Sequence, residues 1–279
     1  MTARARPLAV LVAAMLVCGV VVWGATMLSG PLGTALANWS PGAQESVFAA
    51  ILYGILALVA AIGRAAARLK NDDAKSPRGP RLQWLVIGLA IGIGGLLMAL
   101  GDATLAGAVA RGAASGGVTV FILGTLVTLG QSASEEIFFR GWLQPVLARD
   151  WGPAAAIVVT AIAFAALHIA GGARTPLTLV NLMLGGVLFG LLAWRSGGLV
   201  APIAAHAGWN WAEGILFGLD PNPGTGSFGA LHDLDLSGAA LWGGSAEGLN
   251  ASVAMTFVLV ALLLPFAAQL PLRRSAQRV

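Results

Sequence analysis

The chain carries successive apolar stretches of about 20 residues, the length that an α-helix needs to cross roughly 30 Å of hydrocarbon. Of its 279 residues, 57% are hydrophobic and 10% are charged, whereas about 25% of the residues of an ordinary soluble domain are charged. We therefore predict an all-α fold, a polytopic membrane helical bundle of about eight transmembrane helices. The predicted spans are approximately 8–28, 46–63, 82–100, 118–140, 153–170, 177–194, 199–217 and 251–271.

The basic residues indicate how the chain is oriented. If the amino terminus is inside, all of the 16 Lys and Arg residues except Arg111 and Arg174 fall on the cytoplasmic side, as the positive-inside rule expects. We therefore predict a multi-pass protein of the bacterial cytoplasmic (plasma) membrane with both termini cytoplasmic. The basic residues are dispersed rather than gathered into a patch, so we expect the lipid bilayer, and no nucleic acid, as a partner.

One long polar connection, RLKNDDAKSPRGPR, separates the second and third predicted spans. It divides the chain into an amino-terminal two-helix membrane region with a cytoplasmic linker, residues 1–81, and a membrane bundle, residues 82–279. The bundle contains the candidate core at about 118–217. A single cysteine, Cys18, excludes an intramolecular disulfide.

The first apolar stretch has a second interpretation. Arg4 and Arg6 precede it, and Ala35-Leu36-Ala37 resembles the cleavage site of a secretory signal. However, the run from Leu8 to Leu28 is longer than the roughly 7 to 15 residues of a usual signal core. We therefore predict that this segment is retained as a membrane anchor.

Charged residues inside the fourth span are the first indication of function. Glu135, Glu136 and Arg140 lie in an otherwise apolar segment, where one ionised side chain costs roughly 2.5 to 3.5 kcal/mol on insertion scales. Glu136 and Arg140 have the i, i+4 spacing of a helical ion pair, so we predict a structural pair. That pairing leaves Glu135 as the candidate general base.

Three further polar residues lie in the later spans. Glu135 and His168 are equally distant along the chain from the turn at Asp150–Pro153, so an antiparallel hairpin would place them level. His206 and Asn210 share one helix face through their i, i+4 spacing. Flush turns would leave His206 roughly 11 Å shallower than Glu135, and the sequence alone does not resolve this difference.

The remaining polar residues of this region receive simpler interpretations. His232, with Asp233 and Asp235 nearby, is interpreted as part of an ordinary polar outer loop, with a metal site as the alternative. Asn181 is interpreted as a helix-packing residue, and Glu213 is left without a role. The small residues of Gly186-x-x-x-Gly190 permit close contact between helices.

Two chemistries fit the buried polar set. In the first, Glu135 removes a proton from a water molecule while His206 and Asn210 donate hydrogen bonds to the oxyanion of an acyl-transfer intermediate. In the second, Glu135, His168 and His206 ligate a divalent metal such as zinc that activates the water. Nothing in the sequence implies an organic cofactor.

Three motifs in order resemble a known family. Glu135-Glu136-x-x-x-Arg140, Phe164-x-x-x-His168 and His206-x-x-x-Asn210 resemble the motif set of the CPBP family, which contains the type II CAAX prenyl endopeptidases and proteins of bacteriocin processing or immunity. The resemblance spans roughly Val118 to Phe217. It implies that Glu135 and His168 activate water and that His206 and Asn210 stabilise the oxyanion.

Two classes of function follow from the sequence. The favoured one is an intramembrane endopeptidase that hydrolyses peptide bonds of membrane-associated or lipidated protein or peptide substrates. The alternative is a non-hydrolytic membrane protein, either an immunity or scaffold protein or a proton-coupled carrier, because buried Glu and His residues also form proton relays. Repeated halves, which are common in carriers, are not evident.

Overall fold

The computed structural model describes residues 5–69, 79–112, 116–222 and 228–267, and 79% of the structure is helical. Two π-helical turns, Ile137–Leu143 and Ala212–Leu216, continue α4 and α8. The α-helices, in chain order, are α1 (Ala5–Ala35), α2 (Pro41–Ala66), α3 (Arg81–Leu105), α4 (Val118–Glu136), α5 (Gln144–Trp151), α6 (Pro153–Ala170), α7 (Pro176–Ser196), α8 (Val200–Trp211) and α9 (Val253–Ala267).

Five helices are long and apolar enough to cross a membrane by length and composition, which supports an integral multi-pass membrane protein. They are α1, α2, α3, α6 and α7. The other predicted spans fall in shorter or more polar helices: α8 has 12 residues, and α4 ends in two carboxylates. Eight spans and cytoplasmic termini therefore stay predictions. Arg4, most of the polar linker and the carboxy-terminal Arg273, Arg274 and Arg278 lie outside the described residues.

Helices α3 and α8 make the most extensive helix–helix contact. Glycines on α3 permit it, because the backbone of α8 occupies the space where their side chains would lie. A β-carbon on Gly92 would overlap the carbonyl oxygen of Ala205, and one on Gly88 would lie 2.5 Å from the carbonyl oxygen of Ala201. The contact fixes the position of α8, and thus of His206, relative to α3.

Substituting alanine for Gly92 should separate α3 from α8. We expect a loss of about 1 to 3 kcal/mol in the free energy of unfolding, because the added methyl group meets backbone that cannot move aside easily. Gly94→Ala is the matched control: no atom lies within 4 Å of its added β-carbon among the residues described, and alanine favours the helix. Thermal unfolding in detergent of both variants tests this, and equal stability would contradict the packing argument.

Helices α6 and α7 also pack closely, as the Gly186-x-x-x-Gly190 spacing predicts. A β-carbon on Gly186 would lie 2.9 Å from the α-carbon of Ala161, and one on Gly190 would lie 2.9 Å from Oε1 of Gln144. Gln144 uses this closeness, because its Nε2 donates a hydrogen bond to the carbonyl oxygen of Gly190 at 3.1 Å. The glycines therefore place α7 against both α5 and α6.

The connection between α8 and α9 contains a short strand that the all-α prediction did not include. Strands β1 (Val109–Arg111) and β2 (Leu234–Leu236) form a two-stranded antiparallel sheet. His232 next to it is exposed and its ring stacks on Phe217, with 6.2 Å between the centroids. Among the described residues, no cluster of His, Cys, Asp or Glu able to hold a metal ion is present, so the structure does not favour the alternative of a metal site at His232.

The same connection is tied to the start of α7. The two carboxyl oxygens of Glu247 accept hydrogen bonds from the backbone amides of Arg174 and Thr175 at 3.0 and 2.9 Å. Asn181 donates from Nδ2 to the carbonyl oxygens of Asn250 and Ser252, both at 2.9 Å. Asn181 therefore joins α7 to the chain that leads into α9, in line with its predicted packing role.

The hydrogen bonds between Glu247 and the start of α7 should weaken in acid. Burial raises the pKa of the Glu247 carboxyl, but the hydrogen bonds from Arg174 and Thr175 and the Arg174 charge outweigh it, so the pKa lies below its ordinary value of 4.5. The contribution of the Glu247 carboxylate to the free energy of unfolding is therefore complete above about pH 4.5, and it is lost as the pH falls through the lower folded-state pKa.

We expect Glu247→Gln to lower the free energy of unfolding by about 1 kcal/mol at neutral pH and to remove this part of its pH dependence. Thermal unfolding from pH 3 to 7 is the measurement. Asp235→Asn, which changes an exposed carboxylate of the same connection, is the control. A wild-type pH profile in Glu247→Gln would show that the contact does not stabilise the fold.

Candidate active site

Glu135 and Glu136 are the last two residues of α4, and the chain continues from them through the π-helical turn Ile137–Leu143. π-Helical turns are rare and occur frequently at functional sites. The side chains of both glutamates point into the bundle, with Glu135 6% exposed and Glu136 0% exposed. The carboxylates are thus surrounded by protein rather than by lipid.

Glu136 is the centre of the polar network. Its Oε1 accepts a hydrogen bond from Nη1 of Arg140 at 2.8 Å and another from Nδ1 of His206 at 2.9 Å. The first contact is the ion pair expected from the i, i+4 spacing, whereas sequence reasoning did not anticipate the second. Because Nδ1 of His206 donates to Glu136, the carboxylate fixes the orientation of the imidazole ring.

Arg140 joins this network to two further helices. Its Nη2 donates a hydrogen bond to the carbonyl oxygen of Gly186 on α7 at 2.8 Å. Its guanidinium carbon lies 4.8 Å from the centre of the Phe164 ring on α6, a cation–π distance. The guanidinium therefore has partners on α6 and α7 in addition to Glu136, which suits a charge that is 3% exposed.

Glu135 is held less tightly than Glu136. Its Oε1 accepts a hydrogen bond from Nε2 of Gln131, one helical turn earlier, at 3.3 Å. Within the described part of the chain, no group hydrogen-bonds to its Oε2, which lies 3.9 Å from Nε2 of His206. Glu135 therefore presents to His206 a carboxyl oxygen that accepts no hydrogen bond from the described residues.

Aromatic rings hold His206 in place. Phe189 on α7 stacks on its imidazole with 4.7 Å between centroids and 16° between planes, and Phe164 meets it edge-on at 5.8 Å. With Nδ1 directed at Glu136 and the ring faces covered, the Nε2 edge is left facing Glu135. His206 is 4% exposed.

The four predicted catalytic side chains line one cavity of about 360 Å³. His168, near the end of α6, donates from Nδ1 to the carbonyl oxygen of Phe164 at 2.8 Å, which leaves its Nε2 as the acceptor. Asn210 lies one turn beyond His206 on α8. The structure thus brings Glu135, His168, His206 and Asn210 to a common surface, although it shows no direct bond between Glu135 and His168 among its described contacts.

The depth difference estimated from flush turns is not present in the structure. His206 lies at the level of both glutamates: its Nδ1 is 2.9 Å from Oε1 of Glu136, and its Nε2 is 3.9 Å from Oε2 of Glu135. The estimate assumed straight helices, whereas the chain after Glu136 passes through a π-helical turn and the short helix α5 before turning at Gly152, whose φ is +80°.

The residues present do not form a ready metal site. Among the residues that the structure describes, no three His, Cys, Asp or Glu side chains are close enough together to hold an ion. The Nδ1 contacts of His168 with the Phe164 carbonyl and of His206 with Glu136 leave Nε2 of each ring for another partner. What argues against a zinc ion at Glu135, His168 and His206 is their separation, because the three side chains do not form one close group in this arrangement.

One family model matches the segment that holds this site. Residues 117–212 match the family model described as type II CAAX prenyl endopeptidase Rce1-like. Over this segment the chain is similar to that family. No curated protein and no solved structure matches the chain.

The matched segment covers roughly the middle third of the chain. It agrees with the resemblance over Val118 to Phe217 and contains all seven motif residues. The helices outside the match also contribute to the cavity: α1 provides Cys18, α2 provides Tyr53, and α9 provides Met255. The surroundings of the site are therefore formed partly by helices outside the matched segment.

Sequence reasoning missed several residues that support the site. Gln131 bonds Glu135, Phe189 stacks on His206, and the Gly186 carbonyl binds Arg140. The spacing of Gln131, four residues before Glu135, was a usable signal because i, i+4 side chains meet on a helix. The contacts of Phe189 and Gly186 join helices distant in sequence, so no local pattern indicated them.

Proposed function

We propose that this protein is an intramembrane endopeptidase that hydrolyses peptide bonds of membrane-associated or lipidated substrates. The match of residues 117–212 to a protease family supports this class of activity. The observation that carries the proposal is the convergence of Glu135, His168, His206 and Asn210 on one cavity, with Oε2 of Glu135 facing Nε2 of His206 at 3.9 Å.

In the proposed reaction, Glu135 removes a proton from a water molecule, and the water oxygen forms a bond to the carbonyl carbon of the scissile peptide. His168, whose Nε2 is an acceptor, orients this water. Glu135 then returns the proton to the leaving nitrogen as the carbon–nitrogen bond breaks, so the products are a carboxyl group and an amine. General acid–base catalysis of this kind contributes roughly 10² to 10⁴ in rate.

The oxyanion of the tetrahedral intermediate is assigned to His206 and Asn210. When both ring nitrogens of His206 carry protons, Nδ1 donates to Glu136 and Nε2 donates to the oxyanion. The amide of Asn210, one helical turn away, supplies a second donor. Donors that are fixed before reaction stabilise developing charge most effectively, and Glu136 together with Phe189 provides that fixation for His206.

The proposal is tested by the hydrolysis of a quenched fluorescent library of membrane peptides. Purified wild type is compared with Glu135→Ala and His206→Ala, each with and without a chelator. Cleavage by wild type that both substitutions abolish supports the endopeptidase. A folded wild type that cleaves no more than the variants contradicts it and favours the immunity, scaffold or carrier alternative.

The chelator separates the two chemistries of water activation. Because Glu135, His168 and His206 do not form a ready ligand set, we expect cleavage to be insensitive to the chelator. Inactivation by the chelator that added zinc reverses would instead support metal-assisted hydrolysis. Repeating the titration with His232→Ala controls for metal bound at the outer loop instead of at the site.

A further inference from the structure

The cavity wall continues along the chain beyond Asn210, the last of the predicted catalytic residues. Glu213 lies there, in the π-helical turn that follows α8, three residues beyond Asn210. Its side chain is buried, with the residue 4% exposed. In the described part of the chain, no group hydrogen-bonds to its Oε1. Asn222 lies beside the carboxyl group and accepts a bond from Asn250 at 3.4 Å.

The cavity wall is rich in carboxylates and poor in cations. Four glutamates line it, and no Lys or Arg is among its described lining residues. Three of the four have other partners or roles: Glu247 holds the start of α7, Glu45 makes its own interactions, and Glu135 faces His206. Glu213 remains as a buried carboxylate with a free oxygen.

A buried carboxylate without a cationic partner is costly, and a ligand that brings the missing charge removes that cost. We propose that Glu213 binds the Lys or Arg side chain of a peptide substrate and so selects substrates with a basic residue near the scissile bond. This inference rests on the proposed endopeptidase function and names its substrate class. Glu213 is the first residue beyond the segment that matches the family model, so the match does not describe it.

The position of Glu213 sets where the basic residue lies. At 1.5 Å per residue, Glu213 is about 4.5 Å beyond Asn210 and about 10.5 Å beyond His206 along the helix axis. An extended peptide advances roughly 3.4 Å per residue. The basic residue therefore lies within about three residues of the carbonyl that His206 and Asn210 bind.

Binding is measured in a Glu135→Gln background, which removes the proposed general base and keeps peptides intact. The probes are pairs of fluorescent apolar peptides. The two members of a pair differ at one position, which is lysine in one and norleucine in the other, and successive pairs place this position at different points along the peptide. We expect lysine at one position to tighten binding about 10-fold or more, since hydrogen bonds to charged groups contribute about 1.5 to 3 kcal/mol. Adding Glu213→Gln should abolish the preference.

Glu45→Gln is the matched control, because it removes the same charge from another part of the cavity wall; the lysine preference should survive it. Three results would overturn the inference. They are equal binding of lysine and norleucine peptides at every position, no binding of any peptide, and a lysine preference that persists in Glu213→Gln. The library hydrolysis separates the two proposals: a wild type that cleaves without preference for basic residues refutes only the role of Glu213, whereas one that does not cleave refutes the endopeptidase.

Discussion

Glu135→Gln should lower kcat for peptide hydrolysis by a factor of about 10² to 10⁴ and leave the protein folded. The amide keeps the size of the side chain and its contact with Gln131, but it cannot remove a proton from water. KM should change little, because the substitution removes a group used in the transition state rather than in substrate binding. Single-turnover hydrolysis in nanodiscs measures the effect.

Two further variants serve as comparisons for Glu135→Gln. Gln131→Ala should lower kcat less than Glu135→Gln, since it releases the carboxylate from one hydrogen bond and leaves it in place. Glu45→Gln removes a cavity carboxylate on α2 and should retain wild-type turnover. If Glu135→Gln retains it as well, the proton acceptor is another group of the site, and the assignment of Glu135 is wrong.

Arg140→Met should be the most destabilising single substitution in the site. It leaves the carboxylate of Glu136 buried, 0% exposed, without its cation, and breaking a buried pair in this way costs about 3 to 5 kcal/mol. The hydrogen bond to the Gly186 carbonyl is lost at the same time. Unfolding by SDS titration in mixed micelles measures the change in free energy.

A double variant separates the stabilising role of the pair from its role at the site. Glu136→Leu combined with Arg140→Met removes both charges, so much of the lost stability should return, because buried ion pairs are often replaceable by apolar residues. Turnover should not return, since Nδ1 of His206 loses its acceptor. Wild-type turnover in the double variant would show that Glu136 does not position His206.

The sequence predicted which polar residues lie at one cavity better than it predicted how they connect. The helical spacing of Glu136 and Arg140 predicts a local ion pair, and that pair is present. The bond from His206 to Glu136 joins residues 70 positions apart, and no periodicity specifies it. As a result, Glu136 looked like a partner of the arginine alone, whereas it also orients the histidine.

The predicted spans agreed with the helices where a helix is uniformly apolar. The stretch 153–170 coincides with α6, and 177–194 lies within α7. Agreement was poorer at 118–140 and 199–217, where α-helix gives way to π-helical turns at Ile137 and Ala212. Hydropathy does not distinguish these helical forms, because both satisfy backbone groups internally. The small sheet escaped prediction because its strands have three residues each.

The distance in sequence between Glu136 and His206 also determines how long after Glu136 the ribosome adds His206. At about 5 to 20 residues per second, the ribosome needs about 4 to 14 seconds to add the 70 residues that separate them. During that interval Glu136 already has Arg140 four residues away in its own helical segment, so this ion pair can form before His206 is synthesised. The contact between Glu136 and His206 can therefore form only after α8 has been synthesised, several seconds after the pair with Arg140 becomes possible.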